Sequence, residues 1–231
     1  MKLIAFSALV LLTVTVASAQ KPCCGPMQIM TGNGATVGIQ NSGPQGYYTY
    51  AYGAFDYTNR RFGYNINVDR IDGKSSHDYR VVQKYDQDTE WIIHEVTQSC
   101  LKRKAYQPEP SACVPNQAVL STTFFLGGNQ GLLVDSWSYT YSSPKDPLDG
   151  VVALNQVHGS CLPTGGSIFG KVNNGGTDVT FVIASGVLNM TVGIPDPDRW
   201  FTLPSYCNQT NALFDDGSVF DHEVLKLPVF F

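Results

Sequence analysis

The side chains with the clearest covalent chemistry in this 231-residue chain are its six cysteines, Cys23, Cys24, Cys100, Cys113, Cys161 and Cys207. An even count with no Cys-x-x-Cys spacing suits three disulfides in an oxidising compartment better than a zinc or redox site, and leaves fifteen formal pairings open. Adjacent Cys23 and Cys24 point their Cβ atoms apart, so they are expected to reach separate, distant partners. Two stretches accept N-linked sugar, Asn189-Met190-Thr191 and Asn208-Gln209-Thr210. In the first, alternation sets Asn189 on the face opposite Leu188 and Met190, toward solvent.

The search for catalysis is nearly empty. Gly165-Gly166-Ser167-Ile168-Phe169-Gly170 misses the nucleophile-elbow pattern because its last glycine is one position late. His158 lies three residues before Cys161, but a bridged sulfur is no nucleophile. His77, His94 and His222 have no ligand spacing. Carboxylates gather at Asp86, Asp88 and Glu90, at Asp196 and Asp198, and at Asp215, Asp216, Asp221 and Glu223; none has the calcium-loop spacing, and they read as solvated turns. No triad, metal set or paired acid emerges, so the chain is not expected to be an enzyme and needs no cofactor.

These groups must be held by a β framework. Charged residues are 15% and aromatics 12% of the chain, with 22 glycines and 13 prolines, a mixture of strands and turns. The net charge of −4 gives no footprint for nucleic acid, and Lys102-Arg103-Lys104 reads as a solvated turn after Cys100. Lys2, the apolar run Leu3–Val16 and Ala17-Ser18-Ala19 form a secretory signal, residues 1–19, leaving one domain over 20–231. No stretch is long enough to predict membrane insertion.

Period-two alternation predicts successive hairpins. Gly46–Tyr57 turns at Thr58-Asn59-Arg60 into Phe62–Val68, and Tyr79–Tyr85 turns at Asp86-Gln87-Asp88 into Glu90–Val96. Val119–Leu126 pairs with Leu132–Tyr141. Val151–Val157, Ser167–Val172, Thr177–Ile183 and Leu188–Ile194 follow. Lys102–Gln117 is proline-rich and irregular, placed to cover an opening or a sheet edge, and the tail from Ala212 could hold a short helix. About ten strands with no long amphipathic helix predict an all-β fold: two curved antiparallel sheets stacked as a sandwich or half-barrel around an apolar pocket.

Several motifs in this order resemble one known family, the ependymins. Phe55-Asp56-Tyr57-Thr58-Asn59-Arg60-Arg61 resembles their aromatic-Asp-x-x-Asn-x-Arg hairpin. Gly193-Ile194-Pro195-Asp196-Pro197, with Phe201, Pro204 and Cys207, is similar to their C-terminal signature; Cys23-Cys24-Gly25-Pro26 and Trp137 also fit. The resemblance spans roughly Cys23 to Cys207. It implies a secreted, commonly homodimeric glycoprotein with stacked sheets similar to bacterial lipoprotein carriers, a deep apolar pocket for fatty-acyl or other lipid ligands, links to calcium, and contact with the extracellular matrix. It also implies that Cys100 pairs with Cys207 and that one of Cys23 and Cys24 pairs with Cys161. Relatives of the vertebrate type carry a cysteine before the Cys100 position and another near the C-terminus that this chain lacks. Cys113 is then expected to take the other N-terminal cysteine, pinning the proline-rich loop.

The expected function is a carrier or receptor for a hydrophobic ligand, lined by Tyr50, Tyr64, Phe124, Trp137, Tyr139, Phe181, Leu188, Met190 and Val192. The alternative is a matrix-adhesion or signalling glycoprotein that works through its surface and sugars. The segment Gly193–Cys207, with Trp200 and Phe201, is expected to plug one end of the sheets.

Overall fold

The structure is a computed structural model that describes residues 21–40, 43–105, 109–142, 148–174 and 177–208. The signal peptide, the acidic tail cluster, His222 and the tail from Ala212 lie outside these residues. Among the described residues there are eleven strands: β1 (Gln28–Gln40), β2 (Pro44–Asp56), β3 (Arg61–Arg70), β4 (Ser76–Lys84), β5 (Thr89–His94), β6 (Ser99–Lys104), β7 (Val119–Leu126), β8 (Leu132–Ser142), β9 (Leu148–Val157), β10 (Pro163–Asn174) and β11 (Thr177–Val192). One short helix, α1 (Pro197–Phe201), follows.

The all-β, antiparallel expectation holds, and the two expected sheets are two halves of one continuous sheet in the order β6-β5-β4-β3-β2-β1-β11-β10-β9-β8-β7. Its centre is β1, a strand the periodicity does not flag, because Gly32, Gly34 and Gly38 dilute its outer face. The basic run Lys102-Arg103-Lys104, expected as a turn, belongs to edge strand β6. There Arg103 donates to Glu90, which is 1% exposed, so a buried partner and not solvent sets its conformation.

Strands β6 and β7 follow each other in sequence yet occupy opposite edges. Ten interstrand steps of about 4.8 Å would separate them by roughly 48 Å in a flat sheet. The fourteen residues 105–118 could barely cover that when fully extended, and the described ones among residues 109–118 are turned back rather than extended. Gly25 N donates to Ala112 O, Val114 N to Cys23 O and Ala118 N to Pro115 O. The sheet must therefore curl and bring its edges together. One face becomes an inner face whose core joins both halves: Ile29, Val37, Phe55, Phe62, Tyr64, Val81 and Ile92 with Val152, Ile168, Phe181 and Ile183. Burying each large apolar side chain here contributes about 1.5–3 kcal/mol.

All six cysteines are bridged. Cys23 pairs with Cys161, Cys24 with Cys113 and Cys100 with Cys207, closing separations of 138, 89 and 107 residues. Loops of that length are worth about 4–5 kcal/mol each on the chain-entropy account. The first two bridges tie the N-terminal segment and the loop 105–118 to the same end of the curled sheet, and Arg60 Nη2 binds Glu109 Oε2 at 2.6 Å beside them. This loop, rather than Gly193–Cys207, closes that end.

Candidate functional site

Two layers flank the N-terminal half of the sheet. Inside is the shared core. Outside, Gly193–Cys207 runs across the strands as a strap, starting where Gly193 N donates to Gln28 O and ending at the Cys100–Cys207 bridge on β6. Pro197 opens α1 with its fixed φ, and Asp196 Oδ1 accepts from Arg199 N. Trp200 and Phe201 bury against Ala54, Met30 and Tyr52; farther along, Leu203, Tyr206 and Cys207 cover Val82, Trp91 and Ile93. The Arg80 guanidinium on β4 donates to the carbonyls of Arg199 and Thr202, both at 2.8 Å. The plug expected at one end is thus a strap over the outer face of β2–β6, because its aromatic residues meet apolar residues that those strands turn outward.

The Phe55–Arg61 motif explains itself in the hairpin beneath. Asp56 is fully buried and accepts from Gln28 Nε2 (3.1 Å), Asn59 N (3.1 Å), Asn59 Nδ2 (2.7 Å) and Arg61 Nε (3.0 Å). Burial raises its carboxyl pKa; the hydrogen bonds from Asn59, Gln28 and Arg61 outweigh burial and leave it below the ordinary value. Arg61 then lies 4.3 Å over the Phe201 ring, so one carboxylate orders the β2–β3 turn and seats the strap.

On the C-terminal half, Asp135 of β8 is 2% exposed and accepts from Thr123 Oγ1 at 2.7 Å, with His158 Nδ1 at 2.9 Å. Thr123 bonds the carboxylate and not the histidine, so the set lacks the nucleophile–base contact of an acyl-transfer site. Among the described residues, no three His, Cys, Asp or Glu side chains gather as a metal site.

The nine residues expected to line a pocket separate into four groups. Tyr64 and Phe181 are packed in the shared core, and burial drives the Tyr64 phenol far above its usual pKa. Trp137 is packed apart from them, against Val114, Ala118 and Leu120 beneath the tied loop. Tyr50, Phe124, Leu188 and Val192 are exposed. For Tyr50 the whole Tyr48-Tyr50-Tyr52 face points outward, and Ala51 and Phe55 take the core side. Phe124 lies on the edge strand.

On β11 the alternation itself breaks. Met30 pairs with Thr191 and Gly32 with Leu188, so Asn189 and Met190 together oppose the single residue Thr31. Asn189 takes φ 50° at this bulge, a conformation asparagine tolerates. The extra residue inverts the faces. Phe181 and Ile183 point inward before it and Met190 after it, which leaves Leu188 outside. Val192 lies beyond, exposed at the strand's end. Asn189 itself is exposed, as its acceptor role requires. Asn208 closes the turn Ser205–Asn208, while Gln209 and Thr210 of its acceptor lie outside the described residues.

Only Tyr139 and Met190 of the nine are half-buried on the inner side. Five further residues, Ala35, Tyr57, Leu101, Tyr141 and Leu154, share that state against the core, and none of them is among the nine expected to line the pocket. Ala35 and Leu154 belong to a row that crosses the sheet in register, Ala35–Ser185–Gly166, and continues through Leu154 to Trp137. The partly buried Tyr139 hydroxyl has its pKa raised by the same surroundings.

The sequence profile named Ependymin matches residues 73–207. Development-specific protein LVN1.2 of Lytechinus variegatus is 33% identical over 159 residues, 67% of this chain and 83% of that protein. A beta-barrel-like protein of a domain of unknown function, DUF1849, from Brucella abortus covers 74% of this chain and all of its own at 9% identity, with a TM-score of 0.25, a likeness too slight to bear on the fold. A matching profile over more than half the chain, and a relative aligned over most of its own length, establish that this chain belongs to the ependymin family.

Proposed function

We propose that this chain is a secreted, non-catalytic glycoprotein that holds a hydrophobic ligand, of lipid or fatty-acyl type, against the inner face of the C-terminal half of its sheet. The observation that carries this reading is the half-buried apolar patch of Ala35, Tyr139, Leu154 and Met190 around the small-residue row. Apolar side chains of this patch are incompletely covered by the core, so an apolar guest seated there gains by leaving water. Three long-range disulfides and two sugar acceptors suit export to an oxidising compartment.

The test uses the secreted full chain and a fluorescent fatty acid. Ser185→Phe and Leu154→Trp each fill the patch and are expected to weaken probe binding at least tenfold without lowering thermal stability. Undiminished binding by both folded variants, or no ligand extracted from the purified protein and no probe binding at all, refutes the reading. The alternative, a matrix-contact glycoprotein, is favoured by Asn189 standing exposed on its bulge. It predicts that Asn189→Gln abolishes matrix adhesion and leaves probe binding unchanged.

A further inference from the structure

The outer face of the sheet carries two apolar rows that cross the strands in register, and among the described residues only one of them is covered. The first runs Met30–Ala54–Gly63–Val82–Trp91, one residue from each of β1 to β5. Neighbours of this kind stand about 5 Å apart and merge into one stripe. The strap lies along that stripe, and its Trp200, Phe201, Leu203 and Tyr206 bury it.

The second row runs Gly46–Gly38–Val182–Phe169–Val151, across β2, β1, β11, β10 and β9. Ile71 takes the place of the missing side chain at Gly46: a Cβ built there would lie 2.7 Å from Ile71 Cδ1. Ile71 is 51%, Val182 47%, Phe169 62% and Val151 52% exposed. A lone surface valine needs no explanation, but apolar side chains joined in one stripe mark an interaction site. Among the described residues no segment crosses it.

We propose that this row is the bed of a second strap, and that the segment lying on it is residues 209–231 of the same chain. The origin of that segment is fixed, because the Cys100–Cys207 bridge holds the chain on the outer surface next to Asn208. Its length suffices. From β6 to β10 is seven interstrand steps, about 34 Å, and from Met30 to Gly38 along β1 is about 27 Å. Residues 209–231 span roughly 75 Å when extended. Their composition fits as well: residues 224–231, Val-Leu-Lys-Leu-Pro-Val-Phe-Phe, carry six aliphatic or aromatic side chains and one charge. Burial on the row removes both apolar surfaces from water at once. A tethered segment also meets the row at an effective concentration in the millimolar range, above that of any free partner at ordinary levels. The row lies on the face opposite the ligand patch, so this inference does not rest on the ligand reading.

The test is photo-cross-linking of the full secreted chain with Phe169→p-benzoylphenylalanine, at about 1 μM, far below the effective concentration of a tethered segment. The expected product has the mass of one chain and joins position 169 to a peptide from residues 209–231. Hydrogen exchange on the unlabelled protein reads the same contact. In wild type, amides of residues 224–231 should exchange roughly tenfold more slowly than in Leu227→Asp/Phe230→Asp, a variant that leaves every strand untouched. Phe169→Lys/Val182→Lys should release them to the same extent, with the amides of β1 and β11 still protected. A product of twice that mass would make the row a contact between copies and overturn the proposal. So would cross-links confined to other segments, or wild-type amides in 224–231 that exchange no more slowly than in the variants.

Discussion

Gly63 and Trp200 meet backbone to backbone: a Cβ built on Gly63 would stand 2.4 Å from the Trp200 carbonyl oxygen. The strap lies flat on β3 because one position beneath it has no side chain. Gly63→Ala should therefore lift α1 from the sheet, at a cost of about 1–3 kcal/mol by analogy with other overpacked contacts. The expected signs are a melting temperature lower by several degrees and faster proteolysis within residues 193–207. A variant as stable and as resistant as wild type would mean that the strap is not seated on Gly63.

Arg80 is the polar counterpart of that contact. Its two 2.8 Å bonds gather carbonyls at the C-terminal end of α1, where the backbone dipole favours a cation. Arg80→Ala should destabilise by about 1–3 kcal/mol, since the carbonyls lose charged donors. Arg80→Lys should fall between, because an ammonium cannot reproduce the planar fork. Chemical denaturation of the three proteins orders them, and equal midpoints would count against the bridging role.

Asp56 makes the fold sensitive to acid. Its folded pKa lies below the unfolded value, so its contribution to stability is present above about pH 4, the ordinary aspartate range, and is lost as pH falls through the lower folded value. Stability of the wild type should thus decline below about pH 4. Asp56→Asn should be less stable at neutral pH, with a flatter acid limb. Denaturation midpoints between pH 2 and 7 check this, and parallel wild-type and variant curves would contradict it.

The exposed bulge at Asn189 predicts sugar there. Mass spectrometry of the secreted protein should find one glycan lost in Asn189→Gln and the same glycan lost in Thr191→Val, since the acceptor needs both residues. A wild-type mass matching unmodified Asn189 would refute occupancy.

Much of the fold could be read from residue order alone because it rests on local rules. The alternation of Phe62, Tyr64, Ile66 and Val68 places those residues on one face whatever surrounds them, the face that the core covers. The Thr58-Asn59-Arg60 turn follows from a side chain that bonds nearby backbone: the Asp56 carboxylate accepts from the Asn59 backbone N–H and from Asn59 Nδ2. The even cysteine count predicts bridges without knowledge of partners.

Tertiary structure decided what local rules leave degenerate. Alternation defines two faces but not which is inside, so Tyr50, expected to line the pocket, lies on the outer face while Ala51 and Phe55 hold the inner one. One inserted residue at Asn189 inverts the faces of β11, and no periodicity announces it because asparagine is as ordinary in a strand's polar phase as in a bulge. The glycine-rich β1 becomes the sheet's centre only because β2 and β11 pair on either side of it. Whether Cys23 or Cys24 reaches Cys161 depends on which adjacent Cβ points toward the β9–β10 turn, a matter of backbone path in three dimensions. The sequence determined strands, turns, bridges and sugar acceptors, since each depends on neighbours along the chain. Inside and outside, edge and centre, and the half-buried patch depend on neighbours across the sheet, and only the folded chain brings those together.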